Sequence, residues 1–229
     1  MSNPATIQAV RNTLSLLRIE TYEKSVVVIG DKGPAAVALY DWNAQISGAF
    51  MAPLHICEVV IRNAVSDTLT AVYSDRWPWS SVFETSLPAT TRGYNPRADL
   101  INIRNRQSTT GKVIPELKFV FWQKMFTGRH DDRLWNAHLR HVLPNLHAAK
   151  TVAQLRQSIY SDLEDIRLLR NRIAHHEPIF RRNLKKDLDK IEALIQFRCT
   201  ITADWMMKNQ RVSQFLAGGP SLTHLKRWS

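Results

Sequence analysis

The stretch Thr151–Phe180, TVAQLRQSIYSDLEDIRLLRNRIAHHEPIF, decides the fold. Val152, Leu155, Ile159, Leu163, Ile166, Leu169 and Ile173 follow one another at spacings of 3, 4, 4, 3, 3 and 4. That spacing places these seven apolar side chains on one stripe of an α-helix, with mostly polar residues opposite. Thr151 suits the N-cap, where a side-chain oxygen takes up a free backbone N–H. Pro178 sets the far limit, because the residue before a proline avoids the α region.

Working outward, the same period recurs. Residues 5–24 carry Ile7, Val10, Leu14 and Leu17 on one helical face. Residues 25–33, SVVVIGDKG, suit either a brief strand or an extended connector closed by glycines. From Ala35 to about Tyr73, Leu39, Trp42, Ile46, Phe50, Leu54, Cys57, Ile61 and Val65 predict one long helix, kinked or divided at Gly48 and Pro53. Residues 76–112 hold three prolines, two glycines and many Ser and Thr, and read as a loop-rich insertion that is also basic (Arg76, Arg92, Arg97, Arg104, Arg106, Lys112). Helical pattern returns at Pro115–Phe126, in shorter pieces over 131–143, and in a last helix from Leu184 to Met207, followed by a basic, frayed tail. The class is all-α: one domain over residues 1–229 with an insertion at about 76–112.

The bulk numbers agree with a folded chain. It has 229 residues, 44% of them hydrophobic, enough for a substantial core. Neither a stretch of some 18 uncharged apolar residues nor a basic-then-apolar leader occurs, so a cytoplasmic protein is expected, with no membrane partner. Cys57 and Cys199, the only cysteines, read as small buried hydrophobes. Thirty-one Lys and Arg against 20 Asp and Glu give a net charge of +11, which favours encounter with a polyanion without identifying it.

The chemistry sits at the end of the strongest helix, in Arg170-Asn171-Arg172-Ile173-Ala174-His175-His176. Asn171 and His175 are four apart and share a face. Arg170 lies about 100° round the axis and has the length to reach the same spot. A guanidinium, an amide and an imidazole suit RNA cleavage by internal transesterification. His175 is the acid or base near neutral pH. Arg170 stabilises phosphate charge, and Asn171 donates to a phosphate oxygen or fixes the imidazole tautomer. His176, about 100° further round, supports the motif or a dimer contact. The bland alternative is a solvated basic helix end whose cations favour the dipole.

The pattern of Arg, a polar residue, three more positions and His resembles the R-x4-H signature of the HEPN superfamily. Tyr40-Asp41-Trp42-Asn43-Ala44, Phe50, Glu58 through Ala64, Gly111-Lys112-Val113, Glu116 through Phe119, Trp122, Leu134-Trp135 and Arg170 through Phe180 are similar to the Abi-like (abortive infection) proteins of that superfamily, over roughly residues 36–200. The resemblance implies a HEPN-like helical bundle, a homodimer joining two R-x4-H motifs in one cleft, and metal-independent endoribonuclease activity of toxin type in phage defence or growth arrest. It implies no cofactor, RNA as the substrate, and an antitoxin protein or RNA as a further partner; a non-catalytic RNA- or protein-binding module is the alternative.

Other residues are weighed on their own. Arg172, His176, Arg181 and Arg182 are expected to bind RNA or support the motif, with the 181–186 run and the basic insertion meeting phosphates. Glu58 and Arg62, at i,i+4, form either a partly buried ion pair or a support for the site. Trp77 and Trp79 read as core aromatics before base-stacking platforms. His130-Asp131-Asp132 reads as a polar turn, since three consecutive residues do not face one ion. No metal site and no nucleotide-binding glycine loop is expected.

Overall fold

A capping box starts the helix that the sequence marks most strongly: Thr151 Oγ1 accepts from Gln154 N at 3.2 Å, and Gln154 Oε1 accepts from Thr151 N at 2.9 Å. The computed structural model describes residues 3–219; their regular structure is all helix, with no β-strand among them. The helices are α1 Pro4–Leu14, α2 Leu16–Glu23, α3 Gly33–Tyr73, α4 Ser81–Ser86, α5 Pro96–Arg104, α6 Thr110–Val113, α7 Phe119–Lys124, α8 Asn136–Val142, α9 Val152–Ala174, α10 Leu184–Arg198, α11 Thr200–Asn209 and α12 Val212–Ala217. The tail expected to be basic and frayed lies, from residue 220 on, outside the described residues.

The chain divides into two compact units. The first comprises Met1–Ala52, Arg172–Lys185 and Gln210–Ser229. The second comprises Pro53–Asn171 and Lys186–Asn209. One boundary falls at Pro53 inside α3, where the proline lacks the N–H for one helix hydrogen bond; α3 nevertheless stays one helix of 41 residues. By length and composition α3 is the one helix among the described residues that would suffice to cross a membrane. Its positions Leu39, Ile46, Phe50, Leu54, Cys57, Ile61, Val65 and Leu69 are buried and recur at helical spacing, while a third of its most apolar window is buried in all.

In the first unit, Ile19, Tyr22, Val26, Ala36 and Leu39 make a core against which Tyr40, Trp42 and Phe180 pack. Tyr22 meets Tyr40 edge-on, with ring centroids 5.1 Å apart, and Phe180 at 5.3 Å. The single helix expected over 5–24 is two. Ser15, at φ 74°, ends α1, and its side chain accepts from Arg18 N to start α2. The change of phase buries Ile19 and Tyr22 and leaves Leu17 80% exposed, against expectation. The 25–32 segment is a connector, not a strand.

The second unit is built round aromatic rings. Trp77 meets Phe83 at 5.5 Å and Trp122 at 6.3 Å, both edge-on, and Phe126 stacks on Trp135 at 4.6 Å. The α9 residues Leu155, Ile159, Leu163, Ile166 and Leu169 are all buried. Residues 76–112 are less loop-like than expected. Pro78 and Pro96 stand in the first turns of a 3₁₀ turn and of α5, and Ser80 and Asn95 cap α4 and α5. A proline there starts a helix, since its missing N–H has no helical partner anyway. The expected helix Leu184–Met207 breaks at Cys199 into α10 and α11. Cys57 is buried, and burial pushes its thiol up to about 12; Cys199 is only half-buried.

Candidate functional site: the end of α9

The R-x4-H helix stops at Ala174 by a defined hydrogen-bond pattern. His176 N donates to Ile173 O at 3.0 Å, and Glu177 N donates to Arg172 O at 2.8 Å. His176 takes φ 55°, the left-handed conformation. These are the two bonds and the left-handed residue of a Schellman cap, a place that glycine usually fills. His176 is therefore outside the helix, and the expected 100° turn from His175 does not apply to it. Its role is in the backbone.

That cap is held from three sides within the first unit. Arg18 Nη1 on α2 donates to His176 O at 2.8 Å. Asn43 Oδ1 on α3 accepts from Ile179 N at 2.8 Å and from Phe180 N at 3.3 Å. The Arg172 guanidinium donates twice to Pro178 O, at 3.0 and 2.9 Å, and lies 3.5 Å from the Glu177 carboxylate. Arg172 is thus a brace for the turn. Arg181 Nη2 donates to Ser25 Oγ at 2.9 Å and stands 5.6 Å over the Phe180 ring. Arg182 is half-buried and has partners of its own.

The three residues expected to carry chemistry differ from these. Arg170 and His175 are exposed and Asn171 is half-buried. None of the three makes a side-chain hydrogen bond or ion pair among the described residues. Arg170 and Asn171 are the last residues that α9 contributes to the second unit, while His175 follows its last helical residue in the first.

Glu58 and Arg62 are both half-buried on α3 in the second unit, but no ion pair joins them, and Arg62 Nε is buried without a partner. Arg97 and Arg104 of the basic segment serve structure. Arg97 donates to Thr85 O and Leu87 O, and Arg104 donates to Pro78 O and pairs with Glu84. Arg92 and Arg106 are exposed, and Arg106 Nε donates to Asn102 O at 3.0 Å within the same segment. Trp77 is fully buried and donates to Ser66 Oγ at 3.2 Å, whereas Trp79 is half-buried beneath the Arg76 guanidinium, 4.3 Å from its ring. His130 is buried and Asp131 pairs with Arg156, so that turn is structural. Among the described residues no three His, Cys, Asp or Glu side chains converge as metal ligands would.

Sequence reasoning missed Arg18 and Asn43. Asn43 had a signal: it lies four residues after Leu39 and three before Ile46, on the buried phase of α3, where an amide needs a partner. The apolar spacing predicts Trp42 on that stripe instead, but Trp42 is half-buried and donates to Phe215 O at 3.1 Å. Arg18 had none. Comparisons with family models, with curated proteins and with solved structures return no match.

Proposed function

We propose that this chain is a metal-independent endoribonuclease of toxin type, a HEPN-like helical protein in which Arg170, Asn171 and His175 act on RNA. The observation that carries the reading is the division of labour at the end of α9. Arg172 and the His176 backbone hold the turn, while the side chains of Arg170, Asn171 and His175 have no hydrogen bond or ion pair among the described residues. A solvated basic helix end would use its cations on its own last carbonyls; here Arg172 instead donates to Pro178 O, in the turn beyond the helix. The resemblance of residues 169–180 to the Abi-like proteins supports the same reading.

The chemistry follows from the groups. One imidazole takes the proton of a ribose 2′-hydroxyl as its oxygen attacks the adjacent phosphorus, and an acid returns a proton to the departing 5′-oxygen. The products are a 2′,3′-cyclic phosphate and a 5′-hydroxyl end. Arg170 bears on the phosphate oxygens as charge builds. A homodimer brings two copies of the motif to one cleft, so that proton transfer by an imidazole and charge stabilisation by a guanidinium can come from different chains. The setting we propose is cytoplasmic, in phage defence or growth arrest, restrained by an antitoxin protein or RNA.

The test is incubation of the purified protein with total RNA in EDTA, followed by analysis of the ends, with Arg170→Ala and His175→Ala as controls. Cyclic phosphate ends from wild type and none from either folded variant are expected. RNA bound but left whole would assign the motif to a phosphate clamp. Equal cutting, or equal growth arrest on overexpression, by folded variants would remove these residues from the site.

A further inference from the structure

A cleft of roughly 370 Å³ opens in the first unit between α2, the outer face of α3 and the end of α9. Its lining includes Ala174 and His176, the two neighbours of His175 in the chain. On α3 the wall is made of small side chains, Ala44 and Gly48, and a Cβ added at Gly48 would meet nothing within 4 Å. The rim carries Met51, which is 55% exposed.

The other wall is aromatic. Tyr22 is 1% exposed, yet its hydroxyl makes no hydrogen bond among the described residues. Burial, with Tyr40 close by, pushes that phenol up to about 12, so it is a neutral O–H that can both donate and accept. Tyr22 is part of the cleft lining, so a group held in the cleft is the partner open to its hydroxyl. Tyr40, edge-on to Tyr22, lines the same cleft.

We infer that this cleft is a nucleobase subsite, receiving the base of the RNA nucleotide next to the phosphate that His175 serves. The inference rests on the ribonuclease reading for which nucleotide is bound, not for the shape of the cleft. A base is flat, has an apolar face and carries donors and acceptors only at its edge. The small-residue floor formed by Ala44 and Gly48 admits the flat face. Met51 covers it from the rim through its polarisable thioether, a favourable contact for an aromatic ring. The Tyr22 hydroxyl meets the edge. A helix from a second copy would fill the floor equally well but would bring an apolar ridge to the Tyr22 hydroxyl, leaving it unsatisfied.

Two substitutions test this in the full chain. Gly48→Leu fills the floor, and leucine favours a helix more than glycine does, so the variant keeps its fold. Tyr22→Phe removes only the hydroxyl. The four ribonucleoside 3′-monophosphates are titrated by calorimetry, with ribose phosphate lacking a base as the reference. Wild type is expected to bind at least one mononucleotide about tenfold more tightly than ribose phosphate. Gly48→Leu should erase that advantage, and Tyr22→Phe should weaken it several-fold and alter the ranking of the four bases. Equal binding of ribose phosphate by wild type, or an unchanged advantage in Gly48→Leu, overturns the subsite. So does a dimer broken by Gly48→Leu with base binding intact, which would assign the cleft to a second copy. RNA cutting by wild type with indifference to the base would sink the subsite alone. Base selectivity without any cutting would sink the ribonuclease reading alone.

Discussion

The Arg18 guanidinium donates to the backbone carbonyl of His176 at 2.8 Å, so α2 fixes the turn that directly follows His175. The bond joins residues 158 apart in sequence. It ties the position of an exposed imidazole to the core of the first unit, because Ile19 and Tyr22 on the same helix are buried there. The consequences concern the cap, its anchors and the charges that are free to meet a ligand.

The cap itself is strained for a histidine. His176→Gly should stabilise the protein by about 1 kcal/mol, because the left-handed conformation is free of steric cost for glycine alone. His176→Val should destabilise it by about 1–2 kcal/mol, since a β-branched side chain fits that conformation worst. Urea midpoints of the two variants measure this. A valine variant as stable as the glycine one would mean that the cap does not form in solution.

Asn43 answers two backbone donors at once. Asn43→Leu keeps the volume but leaves Ile179 N and Phe180 N without their acceptor, at a cost of about 2–4 kcal/mol. The melting temperature should fall, and with it the proposed RNA cutting at temperatures where the variant is still folded, because the turn after His175 loses its tether. Unchanged stability would show that another group takes over those N–H groups.

His130 makes an acid-sensitive element of the second unit. Burial, then Arg133 and Arg129, lowers its imidazole to about 3, and its Nε2 is buried without a partner. Above pH of about 6.5 the histidine is neutral folded and unfolded, and contributes no pH dependence. Below that, the unfolded chain takes up a proton that the folded one refuses, so stability falls until pH approaches about 3. Wild type should lose about 1.4 kcal/mol per pH unit relative to His130→Leu between pH 6 and 4. Parallel stability curves for the two proteins over that range would contradict it.

The arginines of residues 76–112 divide by their exposure: Arg92 and Arg106 are exposed, whereas Arg104 is half-buried against Pro78 O and Glu84. Arg92→Ala with Arg106→Ala should weaken RNA binding and lower the salt slope by roughly 0.7 per lost phosphate contact, with the melting temperature almost unchanged. Arg104→Ala should instead lower stability by about 1–3 kcal/mol, since Pro78 O and Glu84 lose their donor. Stability loss in the first pair, or none in the second, would reverse the assignment.

The proposed homodimer predicts complementation. Mixed dimers with Arg170→Ala on one subunit and His175→Ala on the other should cut RNA better than either mutant homodimer, because one cleft then retains an arginine and an imidazole from different chains. Full activity from a monomeric variant would exclude a composite site.

Much of this protein was legible in the chain alone. The α9 stripe, its start at Thr151, the length of α3 and the all-helical class are consequences of local sequence, since a helix buries every third or fourth residue. The position of the candidate triad near the end of α9 was likewise readable, because Pro178 limits the helix. The tertiary structure decided which polar groups are engaged. Arg172 and Arg104 look no different in sequence from Arg170 and Arg92, yet the first two bind backbone carbonyls and the latter two do not. Arg18 with His176 and Asn43 with Ile179 are bonds between residues far apart in the chain. Apolar burial repeats with the period of the helix, whereas a hydrogen bond between distant residues leaves no period to read.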